Sequence, residues 1–162
     1  MDTVQSLSLV QTLADGLIAR KWRMATAESC TGGLIAAACT ELAGSSLWFE
    51  RGFVSYSNEA KTELLGVEAA LIAAHGAVSE AVARAMAEGA LQRAGVDVAV
   101  AVTGIAGPTG GSADKPVGTV WLAWAHRGAP TTARCCHFDG DRARVRALTC
   151  ETALSGLVQA LN

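Results

Sequence analysis

The sequence predicts an α/β protein, a three-layer α/β/α sandwich with a mixed, mostly parallel sheet. Three observations carry this. Apolar stripes at helical spacing alternate with short runs of β-branched or small apolar residues, and the most glycine-rich polar segments each follow such a run. Near the end, two such runs flank Arg127-Gly128-Ala129-Pro130, which suits an antiparallel hairpin. The 162 residues are 51% hydrophobic and 17% charged, the size and content of one domain with a substantial core, and the assignment is a single domain over 1–162.

Taken in order, Val4, Leu7, Val10, Leu13, Leu17 and Ile18 recur at three- and four-residue steps and predict an opening helix that packs on a sheet. Met24 to Glu28 is a short strand ending at Ser29, and Thr31-Gly32-Gly33 opens a helix from Leu34 to Thr40. Gly52 to Tyr56 reads as a second strand, and Asn58 as the cap of a helix running through Lys61 to Leu65 and ended by Gly66. Ser79 to Ala94, dominated by Ala, Glu, Met and Leu and closed by Gly95, is a fourth helix. Val96 to Val102 is a nearly continuous apolar run, as in a central strand covered on both faces. Thr103 to Pro116, rich in Gly and Pro, is a long loop at that strand's end. Val117 to Ala125 and Thr131 to Phe138 form the hairpin, and Asp141 to Leu161 is a final amphipathic helix.

Composition narrows the functional classes. A formal charge of −2 supplies no overall cationic field for a polyanion, so nucleic acid is not an expected partner, although a local phosphate site is compatible. Cys30, Cys39, Cys135, Cys136 and Cys150 form no C-x-x-C pair and are odd in number, which favours reduced thiols over a disulfide framework or a zinc knuckle. The first residues lack the cationic start and unbroken apolar run of a signal peptide, and no stretch of about 18 apolar residues predicts a membrane span. A cytoplasmic protein without a membrane partner is expected, with a homo-oligomer, a dimer first, as its assembly.

In open α/β sheets, ligands gather beyond the carboxyl ends of parallel strands, and Ser29 to Gly33, Tyr56 to Lys61 and Thr103 to Ser112 all follow predicted strands. Ser29 sits at a strand-to-helix turn, where following amides suit an oxyanion or a phosphate; alternatively Ser29 or Thr31 only caps the helix. Lys61 falls in the first turn of its helix, where the dipole and any burial lower its pKa toward that of a general base for serine; a solvated surface lysine is the alternative. Tyr56, the only tyrosine, suits a proton relay or substrate positioning, or is an ordinary sheet aromatic. His75, His126 and His137 are scattered outside any zinc or triad motif, so no metal or cofactor is expected. Cys30 is a competing nucleophile, held second to Ser29.

Read together, TAESCTGG (Thr26 to Gly33), VSYSNEAK (Val54 to Lys61), GAVSEAVA (Gly76 to Ala83), AVTGIAGPTGGSADKPVGTV (Ala101 to Val120) and FDGDRARVR (Phe138 to Arg146) resemble the C-terminal domain of the CinA family, which also occurs as a free-standing nicotinamide-nucleotide amidohydrolase. The resemblance covers nearly the whole chain in order. It implies metal-free deamidation of nicotinamide mononucleotide by a serine–lysine hydrolase in pyridine nucleotide salvage. By resemblance the nucleophile falls on Ser29, the base on Lys61, the assisting tyrosine on Tyr56 and the threonine helping at the oxyanion or substrate on Thr103. Arg142, with Arg146 second, takes the place of an arginine at the start of the last helix. Thr31, Gly32, Gly33, Gly104, Gly107, Gly110, Gly111 and Ser112 are the remaining expected substrate contacts. One departure is Thr109, where the family usually has glycine. No counterpart of the longer CinA proteins' N-terminal domain is seen, so no nucleotide-pyrophosphate hydrolysis is expected. Two alternatives stand beside the deamidase: a cysteine amidase using Cys30, and a non-catalytic nucleotide-binding or regulatory module in which Lys61 stays protonated.

Overall fold

A computed structural model describes residues 3–162, with side-chain burial described from Ser6 onward. Along the chain run α1 (Thr3–Arg20), β1 (Met24–Glu28), α2 (Leu34–Thr40), a 3-10 turn (Ser45–Leu47), β2 (Phe49–Val54), α3 (Asn58–Leu65), α4 (Ala69–His75), α5 (Glu80–Ala94), β3 (Val98–Gly104), β4 (Thr119–His126), β5 (Thr132–His137) and α6 (Arg142–Ala160). The five strands form one sheet in the order β2-β1-β3-β4-β5, so β3 is central as the VDVAVAV run predicts.

The sheet is mixed, as expected, with β4 alone running against the other four strands. β1 pairs parallel with β2 and β3, whereas β3–β4 and β4–β5 are antiparallel. The cause is the long loop after β3, which returns to the sheet without a crossover helix and therefore must lay β4 down in the opposite sense.

Helices cover both faces. One core gathers Val98, Val100 and Val102 of β3 with Val10, Leu13 and Leu17 of α1, Ile35 of α2 and Leu154 and Leu157 of α6. The other is rich in alanine: Ala27, Ala99, Ala101, Ala123 and Ala125 of the sheet meet Val82, Ala83, Met86, Ala87 and Ala90 of α5. Gly89 completes that close approach, since a Cβ there would strike the Leu65 carbonyl at the end of α3.

The elements depart from expectation in four places. Helix α1 lies mainly against α6 and α2 rather than on the sheet, so that Leu7 and Ile18 at the rim of its stripe are partly exposed while Val10, Leu13 and Leu17 are buried; the side chain of Val4 lies outside the described residues. Strand β2 runs three residues earlier than predicted at its start and ends at Val54, because the carbonyls of Ser55 and Tyr56 turn to the Lys61 ammonium group or amine instead of a ladder. The cap of α3 is Ser57, whose hydroxyl accepts from the Ala60 amide, and Asn58 is the first helical residue. Helix α4, under two turns long, was not anticipated; its Ala-rich sequence carries no stripe of contrasting polarity.

Candidate active site

Register places the chemistry. Glu28, the last residue of β1, lies beside Val54 of β2 and Val102 of β3, so Ser29, Ser55 and Thr103 all follow at one carboxyl edge of the parallel strands. The Ser29 amide donates to the Val102 carbonyl at 3.1 Å and the Ser55 amide to the Glu28 carbonyl at 2.9 Å, which fixes the exit of all three strands.

Lys61 reaches this edge from the first turn of α3. It is 1% exposed, and its Nζ lies 3.1 Å from Ser29 Oγ, 3.2 Å from the Ser55 carbonyl and 3.0 Å from the Tyr56 carbonyl. Burial holds its pKa below the ordinary lysine value. Two of its three partners are carbonyls, which only accept. A neutral amine has two N–H donors and one lone pair; once the two N–H groups serve the carbonyls, the lone pair is left for the Ser29 hydroxyl. Ser29 O–H can then donate to Nζ, its other acceptor being the Tyr56 carbonyl at 3.5 Å. This arrangement can take a proton from serine, and no carboxylate or imidazole is needed to do so.

The turn after Ser29 is built around a buried anion. The Glu28 carboxylate, with no exposed surface, accepts from Thr31 Oγ1 (2.7 Å), the Ile35 amide (2.8 Å) and the Ala36 amide (3.0 Å). Gly32 and Gly33 adopt φ of 59° and 105°, where a side chain would be strained, and so bring the chain round into α2. From outside, Arg146 donates Nε to the Cys30 carbonyl and Nη2 to the Thr31 carbonyl, each at 3.1 Å.

Beside Ser29 is a cleft of about 280 Å³ lined by Cys30, Tyr56, Gly104, Ile105, Ala106, Gly107, Thr109, Gly110 and Arg142, close to the lower end of small-ligand sites, about 300–1,000 Å³. Arg142 donates to the Gly107 carbonyl at 2.9 Å and to the Tyr56 hydroxyl at 3.3 Å, so the first residue of α6 holds the glycine-rich loop over the site. A larger cleft of about 420 Å³, between α3 and α4, contains none of the residues expected to do chemistry.

Several expected residues are placed differently. Thr31 is fully buried with its hydroxyl on Glu28, which leaves only its backbone for a ligand. Thr103, also buried, donates to the Ala77 carbonyl at 2.9 Å and ties β3 to the segment before α5. The Tyr56 hydroxyl faces Arg142, and it is this residue's carbonyl that meets Lys61. Arg146 braces the turn instead of lining the cleft, and Gly32 and Gly33 shape it. Gly111 and Ser112 lie outside the lining; Ser112 closes a small turn with Lys115. Gly104, Gly107, Gly110 and Arg142 lie where expected. Cys30 lines the cleft, but burial pushes its thiol up to about 11, which disfavours the thiolate. The five cysteines are free. No group of three or more His, Cys, Asp or Glu side chains among the described residues could hold a metal ion, and no helix among them is long and apolar enough to cross a membrane. Sequence reasoning misses Glu28; its signal is the one charged residue of a strand buried along its whole length.

The site thus joins a buried Ser–Lys pair at the carboxyl edge of a mixed α/β sheet to a glycine-rich cleft lined by Arg142. The model for the CinA C-terminal domain matches residues 6–161, and the chain belongs to that family. It is 52% identical over 160 residues to the nicotinamide-nucleotide amidohydrolase PncC of Escherichia coli, covering 98% of this chain and 96% of that one. It is 52% identical to a CinA-like protein of Akkermansia muciniphila, covering 94% of this chain but 37% of the relative; the chain thus spans about a third of the longer CinA-like relatives. The competence/damage inducible protein CihA of Agrobacterium tumefaciens has the same fold, with a TM-score of 0.93 at 47% identity over 97% of this chain and 95% of that one. A CinA superfamily protein of Klebsiella pneumoniae gives 0.92 at 43% over 96% and 97%.

Proposed function

We propose that this chain hydrolyses the carboxamide of nicotinamide mononucleotide to nicotinate mononucleotide and ammonia, in pyridine nucleotide salvage, with Ser29 as nucleophile and Lys61 as base. The observation that carries the mechanism is the Lys61 Nζ, buried, below its ordinary pKa and 3.1 Å from Ser29 Oγ. The substrate rests on likeness to relatives of nearly the same length named for that reaction.

Ser29 Oγ attacks the carboxamide carbon while its proton passes to Lys61 Nζ. Collapse of the tetrahedral adduct breaks the C–N bond, and the Lys61 proton goes to the departing nitrogen as ammonia forms. Lys61, neutral again, deprotonates the water that attacks the acyl-serine; as the C–Oγ bond breaks, that proton passes from Nζ to Ser29 Oγ, and the acid product leaves as its carboxylate after losing its own proton to solvent. At 3.1 Å the proton passes directly, so Tyr56 is assigned to substrate positioning with Arg142 and not to a relay. The oxyanion falls to amides of the Ser29 to Gly33 turn, each such donor commonly contributing about 3 kcal/mol. The Ile35 and Ala36 amides are already held by Glu28, so the substrate phosphate is assigned to the glycine-rich loop and Arg142 rather than to the start of α2. As assembly we propose a homodimer, with β2, an edge strand that leaves Val54 half-exposed, as the face to be covered.

The test is a coupled ammonia assay on nicotinamide mononucleotide with EDTA present throughout, wild type beside Ser29→Ala. Ammonia release by wild type alone is expected. Nucleotide binding without ammonia release would select the non-catalytic module, and normal turnover by the alanine variant would remove Ser29 as nucleophile.

A further inference from the structure

The Glu28 carboxylate has no cationic partner among the salt bridges of the described residues, yet it is completely buried one residue before the proposed nucleophile. A buried anion is retained only where donors surround it. Its donors come from two places. Thr26 Oγ1, at 3.4 Å, lies behind it on β1, while Thr31 Oγ1 and the Ile35 and Ala36 amides lie ahead, three, seven and eight residues along the chain. The side chain therefore bridges the turn that contains Ser29, tying its strand side to its helix side.

The backbone of Glu28 is fixed as well: its carbonyl accepts from Ser55, and the next amide, that of Ser29, donates to Val102. The turn is held at both ends while the amides of Cys30, Thr31 and Gly33 are left out of the backbone hydrogen bonds. We propose that Glu28 is a positioning residue for the Ser29 turn: its carboxylate, by taking the first amides of α2 and the Thr31 hydroxyl, sets Ser29 Oγ on Lys61 and keeps the turn amides free for the oxyanion.

This rests on the serine–lysine reading, and chemistry makes it specific to a carboxylate. Both oxygens of Glu28 accept from backbone amides, Oε1 from Ile35 and Oε2 from Ala36. Glutamine has one oxygen, so its NH2 must face one of those N–H groups, donor against donor. Glu28→Gln keeps the volume and loses the clamp.

The experiment measures phosphonylation of Ser29 by a fluorophosphonate, followed by intact-protein mass spectrometry across pH, together with kcat and KM for nicotinamide mononucleotide and the thermal midpoint. In Glu28→Gln the plateau labelling rate and kcat should each fall about tenfold or more, with KM and the pH midpoint of labelling unchanged, because Lys61 keeps its burial and its two carbonyl partners. Thr31→Val removes one donor to the carboxylate and should lower the same rates in the same direction; Thr31→Ser, which keeps the hydroxyl, should restore them. If Glu28→Gln does not fold, the Thr31 pair decides alone. Labelling and kcat within twofold of wild type in Glu28→Gln, a shifted pH midpoint, or equal rates in the two Thr31 variants would overturn the proposal. Ammonia release failing while wild-type Ser29 still labels would remove the substrate and leave Glu28's role standing. No labelling of Ser29 in wild type would remove the serine–lysine reading and Glu28's role with it.

Discussion

Replacing Lys61 by methionine or by arginine separates a base from a charge. Methionine fills similar space without a lone pair; arginine keeps the positive charge but does not deprotonate near neutrality. In the structure Nζ has three partners within 3.2 Å, two of which are carbonyls, so only the neutral amine can serve both and still accept from Ser29. Removing a general base commonly costs about 10²–10⁴ in rate, and a base coupled to its nucleophile falls at the upper end, so turnover should drop roughly 10³–10⁴-fold in both variants, about 4–5.5 kcal/mol of barrier. Wild-type turnover should rise with pH through a midpoint below the ordinary lysine value of 10.5, because burial lowers the Lys61 pKa and the unprotonated form is the active one. Stability carries the same signature. Since the folded pKa is lower than the unfolded one, the unfolded chain binds more protons between the two, and stability should increase with pH across that window and lie at its lower level beneath the folded pKa. The Lys61→Met variant should lose this rise. Steady-state ammonia assays and urea titrations from pH 6 to 10.5 measure both. Turnover within tenfold of wild type in Lys61→Arg would refute the argument and make Lys61 an anchor.

With a thiol at about 11 against an ordinary 9.0, Cys30 should hold roughly 100-fold less thiolate at neutral pH than a free cysteine, so Cys30→Ser should retain turnover and iodoacetamide mass labelling should reach Cys30 slowly; rapid labelling blocked by substrate would support a cysteine amidase. Arg142→Ala, losing the arginine that lines the cleft, should raise KM roughly ten- to a hundredfold with little change in kcat, as expected for a charge-assisted contact of about 1.5–3 kcal/mol. Gly89→Ala should lower stability in urea by about 1–3 kcal/mol, because its new methyl meets the Leu65 backbone carbonyl rather than a flexible side chain.

Local signals in the sequence locate elements well where the determinants are local. The bounds of β1 and α2 follow from an apolar run broken by Thr31-Gly32-Gly33, and β3 is recognisable as central from its unbroken apolar run. The strand-end motifs offer Ser29 and Lys61 as nucleophile and base beside a plain helix cap and a surface lysine, and the family resemblance implies the pair; in the structure the two side chains meet. What local pattern cannot contain is the direction of a side chain whose partner is remote. Thr103 turns to Ala77 and Tyr56 to Arg142, across 26 and 86 residues of sequence. Glu28 is missed for a different reason: its donors are only three to eight residues away, but they face its carboxylate only once the strand, the turn and the helix are all in place. The strand sense of β4 likewise depends on where a loop returns, not on the loop's composition.

The alanine face of the sheet has a dynamic consequence. Alanine has no χ rotamers to freeze on burial, so the alanine-rich layer between α5 and the strands, where Val82 and Met86 are the larger side chains of the helix, orders fewer torsions than the valine and leucine layer under α1, α2 and α6. Methyl relaxation should therefore divide the molecule into two halves, with uniformly restricted alanine methyls on the α5 side and a broad spread of order parameters on the other. The catalytic edge spans both halves, since Thr103 is fastened to Ala77 just before α5 while the turn after Ser29 is held to α2 and to Arg146 of α6.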